Sequence, residues 1–306
     1  MIDWPSYNRS LVRRGEILFS YDFLDSWGQE IERMNRNKKG KPFIFPNSFI
    51  LAIGYIRYSF HLPYRQTEGI IKATGKRLPS NSPSYGHICK RINKLNIDIK
   101  RDKTVDYNED YIIVSIDSTG IKITNRGQWM DKKWKVQNRK GYLKIHVGVD
   151  IKTKEILAVD ITDEKVHDGR MLKELVNHVL DGSTTTTRGS NKMVIKIKSA
   201  LGDGAYDSNA NFRYLEEKGI TPGIKIRKNS IVSPQNNRLR NKEVKLQSKD
   251  LLKWKKKRKY GHRWIAETAF STIKRTFGEY ISATRFENMV KEMMIKVSLY
   301  NLFRRL

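Results

Sequence analysis

The pattern of apolar positions changes character about a third of the way along the chain. Before residue 100 the apolar residues recur at helical spacing, as in PNSFILAIGYIRYSF, and LPYRQTEGIIKATG reads as a short helix closed by Gly75. After the turn RLPSNSP, Ser84 or Pro83 starts another helix, SYGHICKRINKL, which sets Arg91 and Lys94 beside the apolar Ile88, Ile92 and Leu95. Two short helices around a turn, the second basic, fit a helix-turn-helix reader of DNA. An ordinary helical bundle with a charged outer face fits the same pattern.

From residue 111 the period falls to that of strands. YIIVSID, YLKIHVGVD and EILAVDI are β-forming runs bounded by polar or glycine-containing turns. A helix over 169–180 follows, then the low-complexity loop DGSTTTTRGSN, the strand MVIKIKSALGD, the helix DSNANFRYLEEKG and a last strand, ITPGIKI. This order predicts an α/β domain with a mixed five-stranded sheet flanked by helices over residues 109–306, preceded by a small helical domain over 1–108. Residues 225–259 are densely basic and poor in core-forming side chains, so they read as an exposed arm or insertion. Two helices close the chain, roughly Arg258–Phe277 and an amphipathic Phe286–Phe303.

Charge narrows the choice of partner. The 306 residues carry 60 Lys+Arg against 32 Asp+Glu, a formal net charge of +28. That excess is more than solubility requires and points to a polyanion whose counterions the protein displaces, with double-stranded DNA the natural candidate. The single cysteine, Cys89, excludes an internal disulfide and a cysteine zinc cluster. No apolar run is long enough for a membrane span, and MIDWPSYNRS does not follow the order of a signal peptide. The expectation is a cytoplasmic, nucleoid-associated protein.

Three acidic residues stand out by position. Asp117 lies where YIIVSI gives way to STG, and Asp203 lies between VIKIKSALG and GAYDS, so both carboxylates are expected at the carboxyl ends of strands, where α/β sheets hold ligands. Glu267 lies in KYGHRWIAETAFSTIKRTFGE, where helical spacing gathers Tyr260, Arg263, Glu267 and Lys274 on one face and Ile265, Ala269, Ile273 and Phe277 on another. Taken alone, Glu267 fits an ion pair with Arg263, and either aspartate fits a turn. Together, carboxylates beside cations suit two Mg²⁺ or Mn²⁺ ions, which bind hard oxygens and substrate phosphates and serve in-line displacement at phosphorus.

IDSTG around Asp117, GDGAYDS around Asp203 and Tyr260-x2-Arg263-x3-Glu267-x6-Lys274 resemble, in that order, the three blocks of the DDE transposases of bacterial and archaeal insertion sequences. The last block resembles the branch bearing the Tyr-Arg-Glu-Lys signature. The resemblance covers residue 111 to the C-terminus. It implies an RNase H-like fold, a metal-binding catalytic triad of Asp117, Asp203 and Glu267, and contacts from Tyr260, Arg263 and Lys274 to transposon-end phosphates. It further implies cleavage and strand transfer of an element bounded by inverted repeats, with at least a homodimer bringing two ends together. The short interval between Asp203 and Glu267 leaves no room for the long β-rich insertion of some relatives, so a hairpin step is not implied.

Other residues support the picture less directly. Lys255, Lys256, Lys257, Arg258 and Lys259 form a run suited to a DNA backbone, as do Arg91 and Lys94 in the helical domain. Trp129 and Trp134 fit either base stacking or anchoring of a hairpin. Asp150 and Asp160 read as strand-end turns and His146 and His178 as structural, while His167-Asp168 in KVHDGR resembles a His-Asp step that precedes the first helix in these transposases, which leaves Asp168 open as a group near the metals or as a cap of that helix. Two alternatives remain: a stand-alone RNase H-like nuclease, and a transposase descendant that only binds DNA. Three acidic residues facing phosphate argue against the second.

Overall fold

The computed structural model describes residues 3–74, 78–97, 99, 111–123, 141–181 and 196–306. The expected domain boundary, Gly75, the two hairpin tryptophans and the low-complexity loop lie outside the described residues. The chain divides into two compact units, one of residues 1–97 and 283–306, the other of residues 98–282.

The first unit is helical: α1 (Trp4–Leu18), α2 (Trp27–Asn35), α3 (Asn47–Ser59), α4 (Tyr64–Thr74) and α5 (Tyr85–Lys94). Ser84 caps α5 by accepting from the His87 amide at 3.3 Å, which satisfies one of the unpaired donors at a helix start. The core of this unit is aromatic at one end, with Trp27 and Phe45 packed around Phe49 at centroid distances of 5.1 and 5.9 Å, and aliphatic at the other, through Ile50, Ile53, Ile88 and Ile92. Burying each such side chain contributes about 1.5–3 kcal/mol.

The second unit is built on one mixed sheet. Its strands are β1 (Tyr111–Ile123), β2 (Tyr142–Asp150), β3 (Ile156–Asp163), β4 (Lys196–Gly202), β5 (Thr221–Ile224) and the short β6 (Tyr280–Ile281). The order is β3-β2-β1-β4-β5, with β6 also pairing β1. β2 is antiparallel to β1 and β3, while β4 and β6 run parallel to β1 and β5 runs parallel to β4. The sheet therefore has six strands where five were expected. The sixth is only two residues long, too short to show a period.

On one face of β1, Val114 and Ile116 join a core completed by α6 (Leu172–Asp181) and α7 (Asn209–Glu217) through Leu172, Leu175, Val176, Phe212 and Leu215. Beyond β5 come α8 (Arg238–Lys249), α9 (Leu251–Lys257) and α10 (Trp264–Phe277). The basic segment read as an exposed arm is thus largely helical and anchored. Glu243, Val244 and Trp254 are buried, with Trp254 Nε1 donating to Glu243 at 2.6 Å and Arg258 paired with the same carboxylate.

The last helix, α11 (Phe286–Arg304), belongs to the first unit, although the sequence boundary at 108/109 had assigned it to the second. It is buried on all sides rather than on one, with 11 of its 19 residues inaccessible. Two of these are charged: Lys296 pairs with Glu292 at 2.9 Å, and Glu292 also accepts from the Ala283 amide at 3.1 Å. A buried ion pair tolerates loss of both charges far better than loss of one. Lys296→Met is expected to lower stability by about 3–5 kcal/mol. Adding Glu292→Gln should recover most of that loss, which urea unfolding of the three proteins would measure.

Candidate active site

The site forms where β1 outruns its parallel neighbour. β4 pairs with β1 only as far as Ser115, so the stretch that follows is free on that side until β6 takes over at Lys122. Asp117 therefore sits in mid-strand, not at a strand end as expected, yet at the carboxyl edge of the β1–β4 pair. STGIKI continues the strand because β2 pairs with it throughout. Gly120 does not break it. A Cβ there would stand 3.1 Å from the Tyr142 ring, so glycine makes room for that ring.

Alternation along β1 points Ser115, Asp117 and Thr119 to one face, and each meets the segment that leads into or forms α10. The Ser115 hydroxyl donates to the Arg263 carbonyl at 2.9 Å, Arg263 Nη1 reaches Asp117 Oδ2 at 3.3 Å, and Lys274 Nζ donates to the Thr119 hydroxyl at 2.9 Å. Arg263 also pairs with Glu267 one turn along. On its inner face α10 buries Ile265, Ala269, Ile273 and Phe277. Ser115 and Thr119, which make these contacts, were not singled out by sequence reasoning. The signal available was their two-residue spacing from Asp117.

The four signature residues do not share one helix. Lys259 adopts a left-handed conformation (φ 53°), Tyr260–Arg263 form a 3₁₀ turn, and α10 starts only at Trp264. The Tyr260 ring consequently packs on Trp254, centroid to centroid 5.1 Å, and burial raises its hydroxyl pKa. Glu267 is in the first turn of α10, where a carboxylate favours the helix dipole.

Asp203 follows β4 directly, and its Oδ1 accepts from the Ala205 amide at 2.8 Å, capping a short 3₁₀ turn. Burial pushes the Asp117 carboxyl up to about 6; the Ser118 amide and Arg263 oppose the rise, while Asp203 and Glu267 add to it. Asp117, Thr119, Glu267, Ser271, Lys274 and Arg275 line an open groove of about 670 Å³. Among the described residues no three acidic, histidine or cysteine groups are gathered closely enough to hold one ion together. Arg263 occupies the position between Asp117 and Glu267.

The opposite face of β1 carries Ser118 and Gly120. There Asp168 holds Lys144 Nζ at 3.0 Å, and Lys144 also donates to the Val166 carbonyl at 2.8 Å. The cap of the following turn is His167, whose Nδ1 accepts from the Gly169 amide, rather than Asp168. Asp150 organises its turn as expected, accepting from Lys152 and Thr153. Asp160 lies within β3 and pairs with His178 at 3.1 Å, so it is an ion-pair partner instead of a turn former. His146 is fully buried and bonded to Thr162 at 2.9 Å.

The predicted DNA contacts divide by exposure. Lys256, Lys257 and Lys259 are exposed, whereas Lys255 is partly covered and Arg258 is committed to Glu243. In the helical unit Lys94 is exposed. Arg91 is turned inward, 7% exposed, donating to Asn47 at 2.8 Å and lying 4.6 Å from the Phe43 ring centroid. Its role there is packing.

A family profile described as Transposase DDE domain matches residues 108–302, and a second with the same description matches residues 12–126. The chain belongs to the transposase DDE-domain family. Membership makes it a transposase, of a family whose enzymes cleave and transfer DNA. A solved structure, the piggyBac transposase synaptic complex with hairpin DNA, is similar at 10% identity and a TM-score of 0.42, over 95% of this chain and 73% of that one. That likeness is too loose to bear on the site. No described helix is long and apolar enough to cross a membrane.

The loop carrying Asp203 ends at Asp207, whose buried carboxylate accepts from Arg240 Nε at 2.7 Å, Arg240 Nη2 at 3.1 Å, the Arg227 amide at 3.1 Å and Ser230 at 3.0 Å. Burial opposes its charge, but these donors win and hold its pKa below the usual carboxylate value. A carboxyl lowered on folding stabilises the protein above its unfolded pKa, and that contribution fades as pH falls through the folded value. Asp207→Asn should therefore cost about 3 kcal/mol near neutrality. The gap between wild type and variant should begin to narrow near about pH 4 and keep closing as pH falls further, as urea titrations over that range would measure.

Proposed function

We propose that this transposase is encoded by an insertion sequence, binds the element's terminal inverted repeats, and catalyses divalent-metal-dependent strand cleavage and strand transfer. The observation that carries this is the meeting of Asp117 from β1 and Glu267 from α10 in one groove with Lys274, where Arg263 pairs with both carboxylates; Asp203, at the end of the neighbouring strand β4, supplies the third acidic group of the proposed triad. The strand order β3-β2-β1-β4-β5, with its first three strands antiparallel, supports an RNase H-like reading of the domain.

The donor set fits Mg²⁺ or Mn²⁺ in kind: three carboxylates supply hard oxygens, and burial, which raises the pKa of Asp117, makes its charged form one that a cation would stabilise. Asp117, Asp203 and Glu267 would hold two such ions. Once bound, they supply activation of the attacking water or 3′-hydroxyl and stabilisation of the departing oxygen. The protein's own part is positioning. Ser115 and Thr119 fix the α10 segment against β1, so the cations of Arg263 and Lys274 stand where phosphates would approach the acidic groups. Arg263 exchanges its present carboxylate partners for transposon-end phosphate, a bidentate acceptor of the same geometry. Tyr260, next to it, extends that contact. Lys94, Lys256, Lys257 and Lys259 add backbone contacts, and a homodimer brings two ends together in the nucleoid.

Asp117→Ala, Asp203→Ala and Glu267→Ala should each reduce cleavage of end-bearing duplexes in Mg²⁺ or Mn²⁺ by at least about a hundredfold, while gel-shift affinity is retained. Full activity in any of them would remove that residue from the triad. Lys274→Ala should instead weaken binding to the ends, by about tenfold, in a salt-dependent way.

A further inference from the structure

α8 carries its cations on one side and its anchors on the other. Arg238, Lys242, Lys245 and Lys249 are all exposed. At about 100° per residue the four fall within a sector of about 60°, and at about 1.5 Å per residue they extend about 16 Å along the axis. Arg240, Glu243, Val244 and Gln247 occupy the opposite side. There Arg240 binds Asp207, Glu243 binds Trp254 and Arg258, and Gln247 donates to the Ile224 carbonyl at 2.9 Å and accepts from the Ile226 amide at 3.1 Å.

Two features separate this face from an ordinary solvated helix surface. Solvated faces usually interleave acidic and basic residues three or four apart, which stabilises the helix. Here neighbours at those spacings are all cations, so the stripe works against its own helix, and the buried anchors hold it in place. None of the four pairs with an acidic group among the described residues. The helix's one acidic residue, Glu243, is fully buried on the far side. The stripe is also tied to the catalytic loop, because Asp207 closes the turn that Asp203 opens and Arg227 Nε donates to the Gly204 carbonyl at 3.0 Å.

We propose that the Arg238–Lys242–Lys245–Lys249 face of α8 is a track for the sugar-phosphate backbone of duplex DNA, held by the Asp207–Arg240 clamp at a set distance from the Asp203 loop. This rests on the transposase reading and adds a contact surface to it. Four cations in line engage successive phosphates and do not read bases, so the track supplies affinity without sequence preference and guides duplex lying beyond the cleavage groove.

The test is the salt dependence of binding to short duplexes of unrelated sequence. Each phosphate neutralised contributes about 0.9 to the slope of log affinity against log salt. Wild type is compared with a quadruple variant, Arg238→Gln, Lys242→Gln, Lys245→Gln and Lys249→Gln, and with a charge-matched control, Lys152→Gln, Lys165→Gln, Lys173→Gln and Lys218→Gln. The track predicts a slope shallower by about three to four for the quadruple variant on every sequence, and less than half that change for the control. The Arg238/Lys242 and Lys245/Lys249 double variants should each give about half the effect, which keeps the test open should the quadruple variant fold poorly. An unchanged slope, an equal change in the control, or a loss confined to one sequence overturns the track. If wild type binds and cuts while the quadruple variant keeps its slope, only the track falls; if wild type does not bind DNA, the transposase reading falls with it.

Discussion

Carboxylates crowded into one groove repel each other, and in this fold the cation that offsets them is the guanidinium of Arg263. It reaches Asp117 on the central strand and Glu267 on its own helix, while its backbone carbonyl is held by Ser115. The joint between β1 and α10 is therefore electrostatic at its polar end and apolar at the other, where Ile265, Ala269, Ile273 and Phe277 are buried. The polar end is the only part that a phosphate or a metal ion can compete for. Under the function proposed above, substrate binding and helix placement share one set of contacts.

The same economy of charge governs the basic region after β5. Two of its residues are turned inward, Glu243 receiving Trp254 and Arg258, and Asp207 from the loop after β4 receives Arg240. With the anchors on one side, the remaining lysines and arginines are left on the other. A segment with too little apolar surface for a core of its own is ordered by buried ion pairs whose desolvation is offset by several hydrogen bonds each.

In the helical unit the chain's two ends share one core, α11 being surrounded by apolar contacts and carrying the Glu292–Lys296 pair inside them. α4 and α5 pack against each other. Of the two cations expected on α5, Lys94 faces out and Arg91 packs on Phe43.

Much of the catalytic unit could be read from local pattern. Runs of β-branched residues placed β1 to β5 in their order, and the spacings around Asp117, Asp203 and Glu267 marked them together, because strand period and helical periodicity are properties of neighbouring residues. What the pattern could not carry were features supplied by distant partners. Asp117 stands in mid-strand because β2 pairs with the STGIKI stretch, and α10 starts at Trp264 because Lys259 turns left-handed ahead of it. The basic arm is helical because Asp207 and Trp254 receive it, and α11 is buried all round because it packs in the first unit. Sequence by itself determined the order of the strands and singled out Asp117, Asp203 and Glu267 as candidates. Tertiary structure decided what each one touches, since a charge's partner and a helix's buried face are set by segments far away in the chain.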